Sequence, residues 1–117
     1  MDKNKGVEMT QERIEELNLL TIPPPSEIPE SEMNSKEKEK RKTFVFQFQC
    51  QTLRHGIRQL FPMTQVNYCR RQNGMLTWSF VVFDQENNYR ILFMDTTKIE
   101  LGTMANFIEQ NLTQVRA

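Results

Sequence analysis

The one imidazole of this 117-residue chain, His55, lies five residues after Cys50, and that is the only thiol–imidazole proximity in the sequence. The pair could serve thiolate chemistry or metal binding. Metal binding needs further ligands at helical or loop spacing. No second ligand stands four residues from His55, and five residues is not a metal spacing. Thiolate catalysis needs a low thiol pKa, an orienting third group and donors for an oxyanion. Cys50 falls at an expected strand-to-helix junction, where a helix N-terminus could lower its pKa, but no orienting group or oxyanion donor can be named.

The remaining chemistry-bearing residues are sparse. Past residue 42 the carboxylates are Asp84, Glu86, Asp95, Glu100 and Glu109, all but the last in or beside expected turns. None sits mid-strand, where burial could tune a general acid or base. Gly6, Gly56, Gly74 and Gly102 are isolated, so no glycine-rich loop can cradle a phosphate. We therefore expect no catalytic residues, no metal and no cofactor.

The basic residues offer more. Lys36, Lys38, Lys40, Arg41 and Lys42 form a run interrupted by Glu37 and Glu39. Arg54 and Arg58 lie on the polar side of an expected helix, and Arg70 and Arg71 precede an expected turn. Arg54, Arg58, Arg70 and Arg71 could together contact phosphates, with aromatic rings available for base stacking. Against this, the net charge is +0, the two glutamates dilute the lysine run, and the phenylalanines recur with the period of a core. Nucleic-acid binding is the second reading, behind solvated charge.

These residues must be held by something, and the composition divides in two. Residues 1–42 hold ten of the 15 acidic and eight of the 15 basic residues but no aromatic one. Such a segment buries too little apolar surface to offset its ordering entropy. We expect a disordered arm, with a short amphipathic segment over 11–22 and a charged linker over 35–42. Within it Ile14, Leu17, Leu20 and Ile22 are spaced like a groove-binding amphipathic helix or a nuclear export signal. Pro23, Pro24, Pro25 and Pro29 favour an extended linker. Residues 43–117 carry all the aromatics and are read as one α+β domain, small enough to be marginal alone. Two cysteines are too few for a disulfide scaffold, no apolar core follows Met1–Lys5 as in a signal peptide, and no run is long enough to span a membrane. An intracellular location is expected.

Alternation of Phe44, Phe46 and Phe48 predicts a first strand over 43–49. Leu53, Ile57, Leu60 and Phe61 predict a helix closed by Pro62. Gln65–Arg71, Asn73-Gly74 and Met75–Phe83 predict a hairpin, since both turn residues tolerate positive φ. Both faces of Met75–Phe83 are apolar, which places that strand centrally. Tyr89–Met94 predicts the next strand, Ile99 and Leu101 could add a short one, and Thr103 is a suitable N-cap for a last helix carrying Met104, Phe107, Ile108, Leu112 and Val115. The expected fold is an antiparallel sheet of about four strands with two helices, in the order β-α-β-β-β-α.

The helix–three strands–helix order over residues 51–115 resembles that of double-stranded RNA-binding domains and of the small Alu-RNA-binding subunits of the signal recognition particle. That resemblance implies RNA binding through lysines at the start of the last helix. Here that place reads Gly102-Thr103-Met104-Ala105-Asn106, without a lysine, and element order alone assigns no family.

Two helices cannot easily cover both sides of such a sheet. Met75, Val81, Phe83, Leu92 and Met94 are expected on the uncovered side, as a surface for a homodimer or a heterodimer partner. The functional expectation is a non-catalytic protein-interaction module (small subunit, adaptor or inhibitor), its arm recruiting a second partner.

Overall fold

The computed structural model describes residues 8–70, 75–83 and 86–116. Helix α1 spans Gln11–Leu19, α2 Ser35–Leu60 and α3 Leu101–Arg116. Strands β1 (Gln65–Arg70), β2 (Leu76–Phe83) and β3 (Tyr89–Thr96) lie between α2 and α3. The class is α+β, with one antiparallel sheet in the order β1-β2-β3. The central place of β2 follows from its two apolar faces. Arg71 and the Asn73-Gly74 turn lie outside the described residues, as does the side chain of Val115.

Two expected strands are absent. Residues 43–49 are helical, inside the 26-residue α2. The start is set upstream, where Asn34 accepts from the Glu37 N–H at 2.8 Å and Glu37 accepts from the Asn34 N–H at 3.0 Å. This reciprocal capping box satisfies donors that open a helix. Helix propagation from a formed nucleus is cheap, and Lys36–Lys42 is rich in good helix formers. Phe46, Cys50, Leu53 and Ile57 then recur with helical period on the buried side. That stripe outlasts the short alternation of the phenylalanines. The expected boundary between arm and domain at residue 42 falls inside α2. Ile99 and Leu101 form no fourth strand; both side chains are buried, and Leu101 opens α3.

The core lies between one sheet face and the helices. Leu76, Trp78, Phe80 and Val82 of β2 are buried with Leu53 and Ile57 of α2 and with Leu101, Met104 and Ile108 of α3. Gly56 shows how closely α2 and α3 approach. A methyl there would meet Leu101 Cδ1 at 2.8 Å and Cγ at 3.1 Å, so the close packing is against α3 rather than the sheet.

Helix α1 is too short to persist alone. Its Thr10 cap accepts from the Arg13 N–H at 3.1 Å, but its main support is packing on α3. The contact supplies what α3 lacks at its own start. The Leu101 N–H donates to Thr21 Oγ1 at 3.2 Å, and the Thr103 N–H donates to Asn18 Oδ1 at 3.0 Å. Asn18 Nδ2 donates back to Thr103 Oγ1 at 3.2 Å. Thr103 is thus inside the first turn of α3, and its cap comes from α1 and the residues just after it. Helix starts leave donors unmet unless something accepts them.

Candidate interaction surface

The register decides which side chains share a face. Val81 faces Ile91, Phe83 faces Tyr89, Ser79 faces Phe93 and Thr77 faces Asp95 across β2 and β3. On the β1 side, Gln65, Asn67 and Cys69 stand opposite Val81, Ser79 and Thr77. All these lie on the side away from the buried stripe of β2. Thr77 Oγ1 donates to Asp95 Oδ1 at 2.5 Å there. Tyr89 is 68% exposed and Phe93 63%, with Ile91 at 45%. Large apolar side chains gathered in this way on a sheet are uncommon unless something binds them.

The residues expected on the uncovered side are divided between the two faces of the sheet. Val81 and Phe83 lie on the open face, and half-buried Met75 precedes Leu76 on the same alternation. Leu92 and Met94 do not lie there. They stand opposite Phe80 and Trp78 on the core face, and Leu92 is 4% exposed. β3 is apolar on both sides, so its phase could not be read from hydrophobicity. The residues missed are Tyr89, Ile91 and Phe93, which the pairing with β2 identifies.

Of the expected basic cluster, Arg54 and Arg70 come together on either side of the Phe46–Tyr68 ring pair. The guanidinium of Arg70 lies 4.5 Å from the centroid of Phe46, and that of Arg54 lies 5.7 Å from Tyr68. Phe46, Tyr68 and Trp78 form one chain of ring contacts, at 5.5 and 5.2 Å between centroids. Arg58 is exposed, and Arg71 lies outside the described residues. Lys38, Arg41, Lys42 and Arg70 border an open groove of about 1080 Å³, together with Glu30 and Glu39. Arg41 already donates to the Pro24 carbonyl at 2.6 Å, and Lys42 lies 3.8 Å from Glu39.

Cys50 is in the middle of α2, facing the core, and not at a helix start. Burial pushes its thiol pKa up; Arg54 and Arg70 oppose the shift without cancelling it. His55 is exposed and points well away from Cys50, because five helical residues turn through about 140°. Among the described residues the indole N–H of buried Trp78 finds no acceptor, which is a cost to the core. Among the described residues no cluster of three His, Cys, Asp or Glu could hold a metal ion, and no helix is long and apolar enough to cross a membrane.

The arm motif is divided. Leu17 packs against the core and Ile14 is half-buried, whereas Leu20 and Ile22 are exposed beside Leu19. The Ile14 carbonyl oxygen lies nearest to where a methyl on Gly102 would stand.

No family model, no curated protein and no solved structure matches this chain.

Proposed function

We propose that this chain is a non-catalytic protein-interaction module, a small subunit, adaptor or inhibitor, that engages a protein partner through the open face of its sheet and the β3 edge. One observation supports this reading above the others: Val81, Phe83, Tyr89, Ile91 and Phe93 share the face that α2 and α3 leave uncovered. The polar residues beside them, Gln65, Asn67 and Ser79, carry no charge, and the carboxylate of Asp95 stands at one end of the face, where it accepts from Thr77, so the surface is apolar at its centre and charged only toward that end. Interfaces of this kind are depleted of charge at the core and enriched in aromatic residues. Leu19, Leu20 and Ile22 form a separate exposed element for a second partner.

The test is a photo-reactive amino acid at position 79, in the middle of the open face, with position 47 on the outer side of α2 as control. A discrete protein adduct from position 79 alone is expected. The purified partner should then lose at least about tenfold in affinity for Ser79→Lys, as expected for a charge placed in an interface core. Equal labelling from both positions, or unchanged affinity, refutes the reading.

A second reading, phosphate binding, draws on the cations bordering the groove beside α2. It predicts affinity for nucleic acid that falls steeply with added salt. Charge reversal at Lys38 and Arg70 should abolish it, and salt-independent binding would exclude it.

A further inference from the structure

A strand at the edge of a sheet offers unpaired backbone donors and acceptors to any other chain, and folds normally blunt such edges with lysine, proline, bulges, short length or a covering helix. This sheet has two edges, and they differ. β1 has six residues, with polar Gln65 and Asn67 on its open side, and α2 packs beside it. β3 has eight residues, Tyr-Arg-Ile-Leu-Phe-Met-Asp-Thr, with no lysine, no proline and an unbroken register against β2, and its two charged residues, Arg90 and Asp95, lie toward its ends. α3 packs on β2, and among the described residues β3 is an end strand of the sheet with no further strand paired to it. Ile91 and Phe93 stand exposed along that edge.

We infer that β3 pairs antiparallel with β3 of a second copy of this chain, joining two three-stranded sheets into one of six strands. The inference rests on the open-face reading above and names the partner at its edge. The argument for a second copy lies in the registers that a two-fold axis allows. Pairing Leu92 with its own copy sets Ile91 opposite Phe93 and Arg90 opposite Met94. Pairing Ile91 with its copy sets Tyr89 opposite Phe93 and Arg90 opposite Leu92. Pairing Phe93 with its copy sets Ile91 opposite Asp95 and Leu92 opposite Met94. None of these central registers opposes like charges, and the first two match aromatic to aliphatic or aromatic residues, the cross-strand pairs that stabilise sheets. Like charges meet only when the axis passes through Arg90 or Asp95, toward either end of the strand, where fewer residues pair. The edge is therefore complementary to itself, as an isologous interface requires. The joined sheet keeps both open faces on one side and doubles the apolar surface offered to a further partner.

The experiment uses the full chain. Its mass is followed by sedimentation across protein concentration, with amide hydrogen exchange over residues 89–94 measured in parallel. A concentration-dependent dimer is expected, with outward amides of β3 exchanging at least about tenfold more slowly in the dimer. Ile91→Lys combined with Phe93→Lys sets lysine opposite lysine in each central register and should leave a folded monomer. Ser79→Lys charges the open face on the central strand and should leave the dimer intact. A chain that stays monomeric, with β3 exchange independent of concentration, overturns the pairing. The open-face reading then still stands or falls on the cross-link from position 79. A dimer lost with Ser79→Lys but kept in the double variant means face-to-face association and also overturns it. If both variants dissociate the dimer, concentration-dependent protection of β3 in the unaltered chain supports the pairing, and its absence overturns it. A dimer that neither variant dissociates overturns it as well.

Discussion

Gly102→Ala is the sharpest probe of how the N-terminal segment is held. The added methyl would lie 2.8 Å from Asn18 Oδ1 and 2.8 Å from the Ile14 carbonyl carbon, and closer still to the Ile14 carbonyl oxygen. The obstacle is helix backbone, so no side-chain rotation relieves it. α1 must back away from α3, and the hydrogen bonds from Leu101 to Thr21 and between Thr103 and Asn18 are lost with it. Three such bonds are worth about 1 kcal/mol each, or about 3 kcal/mol together. Alanine in place of glycine inside a helix returns about 1 kcal/mol. The net expectation is a loss of about 2 kcal/mol, a fall of about 8 °C in Tm for a chain of this size. Thermal unfolding by circular dichroism reads the loss, and limited proteolysis at Arg13 reads the release of α1. Asn18→Ala should cost about 1 kcal/mol alone. Combined with Gly102→Ala it should cost less than the sum, because both remove the same bonds. A Gly102→Ala chain as stable as the unaltered one, with Arg13 still protected, refutes the docking of α1 on α3.

Other expectations are independent of that contact. The raised pKa of Cys50 means that the folded state holds the thiol proton more tightly than the unfolded chain does, so its contribution to stability is present below the ordinary thiol value of 9.0 and is lost as pH rises above it. Stability of the unaltered chain should therefore fall more steeply on the alkaline side than that of Cys50→Ala, as read by denaturant titration; parallel curves would contradict the burial. At pH 8 a thiol reagent should label exposed Cys69 rapidly and Cys50 slowly, and equal rates would place Cys50 at the surface. Asn34→Ala should cost about 1 kcal/mol locally and fray the start of α2, seen as faster amide exchange over residues 35–42. Unchanged exchange there would mean that the capping box does not hold that end. Phe93→Ser should reduce binding of an apolar dye while leaving Tm within about 0.5 kcal/mol equivalents of the unaltered chain; a collapse in stability would show Phe93 to be part of the core.

Much of the architecture was legible before any coordinate. The expected strands over 65–71, 75–83 and 89–94 agree with β1, β2 and β3 to within a residue or two, whereas the amphipathic segment over 11–22, expected inside a disordered arm, contains helix α1. Those elements have a clear period and clear punctuation. The miss at 43–49 came from reading seven residues by themselves, when a capping box nine residues upstream and a helical stripe through Ile57 set the conformation. That signal was present in Asn34, Glu37, Phe46, Cys50 and Leu53, at a longer range than the alternation that hid it. The open face was legible as a problem of coverage but not residue by residue.

The sequence by itself determined the α+β class and the central place of β2. Each follows from local period or from residue types. Tertiary structure alone decided the phase of β3, which puts Ile91 and Phe93 outside and Leu92 and Met94 inside, because a strand apolar on both sides takes its orientation from the partner it pairs with. It alone decided that Asn18 and Thr21 cap a helix about eighty residues later, and that Gly56 and Gly102 are small because other helices pass over them. Contacts between residues so far apart in the chain leave no period in the sequence, so only the folded arrangement brings them into view.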